Sequence, residues 1–172
     1  GLLASEDDLI NADVREGHVA MVIGETTGHL GQSALLAEVF NRTDGDAPSV
    51  DLVAEAKHGD FIRDNREWIK ACTDLSDGGL ALAAFEMAAC ADVGVTLDSA
   101  DTPELFGEDQ ARYLVACNFD QAEALMSAAG QAGIPIAFVG KFGGEDVTIG
   151  GSTASLAELK DTSESVFPTL FS

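Results

Sequence analysis

The residues best suited to chemistry lie in one short stretch of the sequence. Asp74, Ser76 and Asp77 stand immediately before two glycines, Gly78 and Gly79. Short oxygen side chains can cap a helix, and glycines let a ligand or another backbone approach closely. A helix N-terminus attracts anions, whereas two carboxylates repel an anion unless a divalent cation intervenes. The stretch therefore indicates either a phosphate or metal-phosphate site or a capped helix after a buried turn, and the local residues alone favour the latter.

A short strand and a long apolar helix are the elements that must position these groups. Residues 69–73 predict a strand that leads into the acidic turn. Residues 80–91 carry apolar side chains at helical spacing on nearly every side, so most of this helix is predicted to be buried. Ser76 or Asp77 is predicted to cap it, because a short side-chain oxygen can accept hydrogen bonds from free backbone N–H groups.

A second polar run, residues 105–112, comes directly before a strand predicted at residues 113–117. It contains two acids and an amide in a row: Glu108, Asp109 and Gln110. One interpretation is a binding site for a hydroxyl-rich or cationic ligand. The other is a turn or helical segment held by an ion pair between Arg112 and Glu108. The sequence leaves both open.

A third glycine-bearing loop follows a predicted strand at residues 19–24 and precedes a predicted helix at residues 35–40. Phosphate loops occur in this arrangement, but residues 25–33 lack both the Lys-Ser/Thr ending of a Walker loop and the GxGxxG pattern of a dinucleotide site. A plain tight turn is therefore favoured. His18 and His29 have no second His or Cys nearby, which predicts surface or packing roles.

The order of the predicted elements favours an α+β fold, with a mixed sheet and hairpins in an α/β/α layering. Single crossovers alternate with hairpins along the chain, as expected for that class. A helix is predicted over residues 51–69, with His58 facing solvent, and a polar loop over residues 98–104. The sequence shows no internal repeat.

Glycines and a capping pattern mark the later elements. Gly143-Gly144 is predicted to be the turn of a hairpin between strands at residues 136–142 and 145–149. The helix that follows is predicted to begin with a capping box, in which Ser155 and Glu158 each bond a backbone N–H of the first turn.

The chain is predicted to form one folding unit without an internal linker. Residues 1–45 are predicted to belong structurally to something upstream. Three apolar side chains are predicted to dock the tail: Phe167, Leu170 and Phe171.

The charge of the chain excludes some partners. Its 172 residues carry a net charge of −21, from 30 acidic and 9 basic side chains. Nucleic acids and anionic membrane surfaces are bound by basic faces, so neither is an expected partner.

The three cysteines lack zinc spacing and lie in apolar surroundings, which predicts buried free thiols in a reducing compartment. The sequence contains no signal peptide or long apolar run, so a cytoplasmic location is expected. The start at Gly1, without Met, suggests a fragment or a processed chain.

Four segments, in their order and spacing, resemble one enzyme family. They are residues 24–33, residues 74–80 with Glu86-Met87-Ala88, residues 105–112, and residues 136–140 before Gly143. Together they resemble the C-terminal part of phosphoribosylformylglycinamidine synthase, the small-type synthetase subunit of purine biosynthesis. The run at residues 106–112 favours this member over its relatives aminoimidazole ribonucleotide synthetase, selenophosphate synthetase and thiamine-monophosphate kinase. All share an ATP-dependent domain followed by a C-terminal lid of this size. The resemblance assigns residues 1–45 to the last strand and helix of a preceding ATP-binding half-domain, and residues 46–172 to the C-terminal lid domain.

The resemblance implies a reaction and a set of site residues. ATP phosphorylates the amide oxygen of formylglycinamide ribonucleotide, and ammonia from a glutaminase subunit then displaces phosphate; a small bridging subunit is a further expected partner. By similarity to the first half of that enzyme, Asp74 would serve Mg²⁺. Substrate would be bound by Glu108, Asp109 and Gln110. Nucleotide or phosphate would lie against Ser76, Asp77, Gly78 and Gly79.

The family's catalytic His motif, its Asn- and Ser-bearing nucleotide loop and its first half are not in this sequence. No catalytic residue is therefore predicted, and the isolated chain is expected to be inactive. Two alternatives stay open at this point. One is the lid of a sibling synthetase or kinase, and the other is an acidic interaction module that binds no ligand.

Overall fold

The computed structural model describes residue 5 and residues 9–165, so the predicted docking residues of the tail lie outside the described part. The strands are β1 (Val19–Ile23), β2 (Ile69–Asp74), β3 (Val95–Leu97), β4 (Tyr113–Cys117), β5 (Ile136–Phe142), β6 (Asp146–Ile149) and β7 (Ser152–Ser155). The helices are α1 (Leu52–Asp64), α2 (Gly79–Ala91), α3 (Thr102–Phe106), α4 (Phe119–Ala132) and α5 (Leu156–Glu164). A π-helical turn spans Leu35–Val39.

The strands form one sheet in the order β2-β4-β1-β5-β3-β6-β7. Neighbouring strands are antiparallel except β3 and β6, which run parallel. The predicted fold class, α+β with a mixed sheet, is therefore confirmed.

Helices cover both faces of this sheet. The apolar side chains of β1 pack against helices on both faces of the sheet, because alternate side chains of a strand point to opposite faces. Met21 and Ile23 lie in the cluster that holds Phe61 of α1 and Leu125 of α4. Val22 lies in the other cluster, with residues of α2 and α5. The core thus has two halves, one on each side of β1.

The apolar helix α2 is buried along most of its length, as predicted. Its small side chains let it lie close to the sheet. Ala84 and Ala88 are fully buried there, and Met87 is 1 % exposed. Leu82 is the apolar exception, since it is 39 % exposed.

The predicted hairpin at Gly143-Gly144 is wrong. β5 and β6 do not pair, because β3 lies between them and bonds both. The hairpin of this region joins β6 to β7 through Gly150-Gly151, whose φ angles of +57° and +80° suit a tight two-residue turn. β7 occupies the residues just before α5.

Other local predictions need correction. Ser155 does occupy the N-cap position of α5, but its side chain makes no capping hydrogen bond, so the predicted capping box is absent. α1 ends at Asp64 rather than at residue 69, and α3 begins within the predicted loop and extends two residues beyond it. All three cysteines are free, as predicted, but Cys90 is exposed rather than buried.

The predicted domain boundary at residue 45 places β1 in a different domain from the other strands. In the structure β1 lies between β4 and β5, in the middle of the single sheet. Where a preceding domain would end stays a prediction. None of the helices in the described part of the chain has the length and apolar composition needed to cross a bilayer.

Candidate functional site

The predicted site residues meet at one end of the sheet, which we call the loop end. β2 finishes there at Asp74 and β1 at Ile23, and both residues lie opposite Tyr113, where β4 begins. β5 also begins there, with Ile136 opposite Ile23. The loops that follow β1 and β2 and the segment that precedes β4 are therefore neighbours in space, although they are far apart in sequence.

Glu108 joins three of these segments. One of its carboxylate oxygens, Oε1, accepts hydrogen bonds from the backbone N–H groups of Ala34, at 2.8 Å, and Gly78, at 2.9 Å. Its own backbone N–H donates to the carbonyl of His29 at 2.9 Å. Glu108 thus connects the acidic turn that contains Asp77 with the run that contains Gln110, and the two lie side by side.

Asp109 holds the loop that follows β1. Its carboxylate accepts hydrogen bonds from the backbone N–H groups of Thr27 (3.1 Å), Gly28 (3.0 Å) and His29 (3.2 Å), and from the hydroxyl of Thr27. Successive N–H groups that converge on one carboxylate form an anion-binding nest, and here the occupant belongs to the chain itself.

The charge state of Asp109 follows from these contacts. Its burial opposes ionisation and acts to raise its pKa. The hydrogen bonds from Thr27, Gly28 and His29, together with the positive charge of Arg112, outweigh that effect and hold the pKa below its ordinary value. Asp109 is therefore an ionised structural anion, and its carboxylate is already engaged by the loop.

Arg112 pairs with Asp109 and not with Glu108. Its Nη1 donates to the carbonyl of Gly107 at 3.1 Å and lies 3.4 Å from Oδ2 of Asp109. The side chain is almost fully buried, since the residue is 2 % exposed. Burial lowers the pKa of Arg112 and the charge of Asp109 acts against that shift, but a guanidinium stays protonated in proteins. The predicted ion pair between Arg112 and Glu108 is therefore wrong, because the acid of the pair is Asp109. The ligand-binding interpretation of this run stays a prediction.

The acidic turn itself is differently built from the prediction. Gly78, with φ +77°, is the N-cap residue of α2, and no side chain caps this helix, so the predicted cap by Ser76 or Asp77 is wrong. Ser76, Asp77 and Asp74 are exposed. Their predicted contacts with nucleotide, phosphate and Mg²⁺ stay predictions.

Gly79 allows another part of the backbone, rather than a ligand, to approach. A Cβ at this position would lie 2.7 Å from the carbonyl oxygen of Gly107 and 2.9 Å from that of Leu105. Its φ of +61° is also in the left-handed region that favours glycine. The requirement for glycine thus comes from the contact between α2 and the end of α3.

Gln110 differs from its two neighbours because its side chain is exposed. It lines a groove of about 490 Å³ at the loop end, between the loop after β1 and helix α1. Three acids and three bases also line the groove: Glu25, Asp51, Asp109, His29, Lys57 and His58. Of the three residues predicted to bind substrate, Gln110 is the one whose polar atoms face open space.

Helix α1 contributes residues that the sequence interpretation missed. Glu55 accepts hydrogen bonds from the backbone N–H of Ala111 at 2.8 Å and from the hydroxyl of Tyr113 at 2.9 Å. His58 is buried rather than solvated, with Nδ1 2.7 Å from the carbonyl oxygen of Ala111. Their spacing of three residues places both on one face of α1, which was the available signal. Burial and the Glu55 carboxylate raise the pKa of Tyr113 to about 12.

The described residues do not by themselves fit Mg²⁺ with a triphosphate. They contain no group of three or more His, Cys, Asp or Glu side chains that could hold a metal ion. Mg²⁺ is usually bound by one or two carboxylates together with substrate phosphates, so Asp74 alone makes an incomplete site. Arg112 is paired with Asp109, and Lys57 donates to the carbonyl of Gly133 at 2.9 Å.

Comparison with known protein families identifies the family of this chain. The family described as AIR synthase related protein, C-terminal domain, matches residues 15–150. The chain belongs to this family. Its match covers β1 to β6 and every segment of the loop end described above.

Two similar proteins carry the same name. The chain is 71 % identical over 167 residues to the phosphoribosylformylglycinamidine synthase subunit PurL of Ruegeria pomeroyi, and 70 % identical over 161 residues to that of Roseobacter denitrificans. These matches cover 97 % and 94 % of the chain but 23 % and 22 % of the relatives. The chain therefore spans about a quarter of the length of the relatives it matches. The predicted resemblance is confirmed.

Solved structures show the same fold. PurL of Thermotoga maritima complexed with FGAR superposes with a TM-score of 0.74 at 18 % identity, over 90 % of this chain and 30 % of that one. A thiamine-monophosphate kinase from Stenotrophomonas maltophilia superposes with a TM-score of 0.56 at 19 % identity, over 84 % of this chain and 54 % of that one. Proteins with different activities thus share this fold, so the fold alone does not indicate the activity.

Proposed function

We propose that this chain is the C-terminal lid of a phosphoribosylformylglycinamidine synthase, the enzyme that converts formylglycinamide ribonucleotide to its amidine with ATP and glutamine-derived ammonia. The observation that supports this is the 71 % identity to a PurL subunit over 97 % of the chain. A lid of a sibling synthetase or kinase would share the fold without that identity. The chain by itself is inactive in this proposal, because the catalytic His motif and the nucleotide loop that the resemblance implies are not in its sequence.

Within this function, the loop end acts as a rigid support for a ligand-facing surface. Glu108 and Asp109 hold the loops together through their carboxylates, and they act as positioning residues. Gln110 presents its amide to the groove, where it can exchange hydrogen bonds with a substrate. Asp74 supplies an exposed carboxylate that can share Mg²⁺ with phosphates brought by ATP, and Ser76 and Asp77 are exposed beside it on the nucleotide side.

The remaining partners follow from the same proposal. The preceding part of the enzyme, to which residues 1–45 would connect, supplies the catalytic residues and the main nucleotide site. A glutaminase subunit and a small bridging subunit complete the assembly, and a solved T. maritima assembly named PurLQS supports such a complex for that relative. T. maritima PurL has also been solved with ATP, which supports ATP as the second substrate here. We place the enzyme in the cytoplasm, with no nucleic acid or membrane partner.

A domain exchange tests the proposal. Residues 15–150 of this chain replace the matching segment of Ruegeria pomeroyi PurL, and the chimera is tested for amidine formation and for growth of a purine auxotroph. We expect activity within a few-fold of the parent. The control chimera carries the matching domain of a thiamine-monophosphate kinase, which has the same fold, and should be inactive. A soluble, folded but inactive chimera with this chain would overturn the proposal.

The isolated chain provides a second test. Incubated with formylglycinamide ribonucleotide, ATP and ammonium, it should form no amidine. Turnover at the rate of a complete enzyme would show that the catalytic groups lie within these 172 residues.

A second candidate function is an interaction module that binds no ligand. Five large apolar side chains from the last residue of the π-helical turn to the first turn of α1 support it, because each is more than half exposed: Val39, Phe40, Val50, Leu52 and Val53. This candidate predicts that Gln110→Ala and Asp74→Ala leave the activity of the chimera unchanged. Loss of activity by a folded Gln110→Ala chimera, with Gln131→Ala on exposed α4 as the control, favours the ligand-binding function.

A further inference from the structure

The buried guanidinium of Arg112 has one engaged nitrogen and one edge without a hydrogen-bond partner. Nη1 donates to the carbonyl of Gly107 and to Asp109. Nε and Nη2 are buried and have no hydrogen-bond partner among the described residues. These two nitrogens lie on the same edge of the planar group and donate in parallel, which is the geometry that binds two oxygens of one carboxylate or phosphate.

Arg112 lines a cavity of about 360 Å³. This cavity lies on the face of the sheet that α2 covers, since Val22 and Leu80 of that core half also line it. The groove beside Gln110 is next to α1, on the other face. The two spaces therefore lie on opposite sides of β1, and Arg112 is not among the residues that line the groove.

The rest of the cavity wall carries hydroxyls and carboxylates. Thr26 and Ser99 supply hydroxyl groups, and Asp98 and Glu104 supply carboxylates. Ser99 donates to Glu104 at 2.5 Å, which fixes that carboxylate at the wall. Phe138, which is 48 % exposed, supplies an apolar surface beside them. The cavity wall thus carries a positive charge at Arg112 and hydrogen-bond acceptors at Asp98 and Glu104.

We propose that this cavity binds a small hydroxylated molecule through its carboxylate or phosphate group, which the Nε and Nη2 edge of Arg112 receives. A buried donor without a partner costs free energy, and a charged one costs more, so an oxyanion at this edge is strongly favoured. The carboxylates of Asp98 and Glu104 would repel a second anionic group and accept hydrogen bonds from hydroxyls instead. A simple polyanion such as a triphosphate is excluded by the same charges.

Nuclear magnetic resonance of the arginine Nε–H groups tests the proposal on the 172-residue chain. Inorganic phosphate and glycerol 3-phosphate are titrated in at constant ionic strength, with chloride as the reference salt. The Nε–H signal of Arg112 should shift saturably with both, and glycerol 3-phosphate should bind more tightly because its hydroxyls reach the cavity acceptors. The Nε–H signal of exposed Arg63 should not shift saturably.

Variants separate a built site from general attraction by charge. Arg112→Lys keeps the charge but loses the parallel donors, and it should weaken glycerol 3-phosphate binding about tenfold, read from the amide signals of Thr26 and Val139. Arg63→Lys is the matched control and should bind as the parent does. If Arg112→Lys does not fold, Asp98→Asn serves instead, because removing a repelling carboxylate from the wall should strengthen binding of inorganic phosphate several-fold.

Three results would overturn the proposal. One is the absence of a saturable shift at Arg112 with either probe at millimolar concentration. Another is equal binding by the parent chain and a folded Arg112→Lys variant. The third is a protein extended to the length of the relatives in which Arg112 Nε–H is already protected and no probe competes, because the oxyanion would then be a side chain of the protein. None of these results bears on the proposed synthase function, which the domain exchange tests separately.

Discussion

Glu108 and Gly78 are joined across 30 residues of sequence, because Oε1 of Glu108 accepts a hydrogen bond from the Gly78 N–H at 2.9 Å. The same oxygen accepts from Ala34 at 2.8 Å. One carboxylate thereby satisfies the N-cap residue of α2 and the N–H just before the π-helical turn. α2 has no side-chain cap of its own, and Glu108 accepts from the backbone N–H of its N-cap residue, as the Glu of a capping box would do from within the helix.

The first prediction tests this link with Glu108→Gln. The amide oxygen can still accept, but the bonds lose their charge assistance, so the free energy of unfolding should fall by about 1–3 kcal/mol. Urea unfolding measures the loss. Hydrogen exchange should speed up at Gly78 and Ala34 together, since both amides share the same acceptor. Glu123→Gln on the exposed side of α4 is the control and should leave stability unchanged. Exchange that changes at only one of the two amides would contradict the shared link.

The second prediction concerns pH and Asp109. The folded-state pKa of this carboxyl is lowered, so its ionised form stabilises the fold above the unfolded pKa of about 4 and that stabilisation is lost as pH falls below it. Asp109→Asn should therefore be less stable than the parent at neutral pH, by about 1–3 kcal/mol. The difference should shrink steadily below about pH 4.

Denaturant unfolding at a series of pH values measures this difference. Asp146→Asn, at an exposed strand residue, is the matched control and should follow the parent over the same range. A constant difference between Asp109→Asn and the parent from neutral to acid pH would show that the charge of Asp109 is not what stabilises the loop.

The third prediction compares two glycines. In Gly79→Ala the new Cβ would lie 2.7 Å from the carbonyl oxygen of Gly107, and the left-handed φ adds strain. We expect a loss of more than about 2 kcal/mol in the free energy of unfolding. Gly59→Ala is the control, because a Cβ there meets nothing within 4 Å and alanine favours the helix. It should be neutral or stabilising by up to about 1 kcal/mol. Equal effects in the two variants would refute the close contact of α2 with the end of α3.

Strong local patterns predicted the main elements correctly. The apolar runs of β1 and β4 and the small apolar side chains of α2 each specify their own structure, because β1, most of β4 and most of α2 are buried. The family was also predictable, since its four segments carry recognisable residues. These features depend on residues that are close together in sequence.

The misplaced features depend on contacts between distant residues. Gly143-Gly144 looks like a hairpin turn, but β3 from an earlier part of the chain lies between β5 and β6. Arg112 pairs with Asp109 rather than with Glu108. Asp109 accepts hydrogen bonds from the loop after β1, whereas Glu108 accepts one from the acidic turn before α2. A single sequence does not encode the sheet order in any local pattern, so these pairings could not be derived from spacing.

Tyr113 provides the last prediction, because it is the only tyrosine of the chain and reports on the link between β4 and α1. Burial, followed by the hydrogen bond and charge of Glu55, raises its pKa to about 12. Ultraviolet absorbance of tyrosinate should therefore show a midpoint well above the ordinary value of about 10. Because the raised pKa belongs to an acid, stability from this contact is complete below about pH 10 and is lost as pH rises towards the folded-state value.

Glu55→Gln separates the two causes of that shift. It removes the charge and keeps the burial, so the midpoint of Tyr113 should fall part of the way towards its ordinary value. Glu86→Gln on the exposed side of α2 is the control and should leave the midpoint unchanged. If Glu55→Gln also leaves it unchanged while circular dichroism shows a folded chain, the charge of Glu55 does not contribute to the shift. The hydrogen bonds of Glu55 and His58 to Ala111 would then be what holds α1 at the start of β4, beside the groove that Gln110 lines.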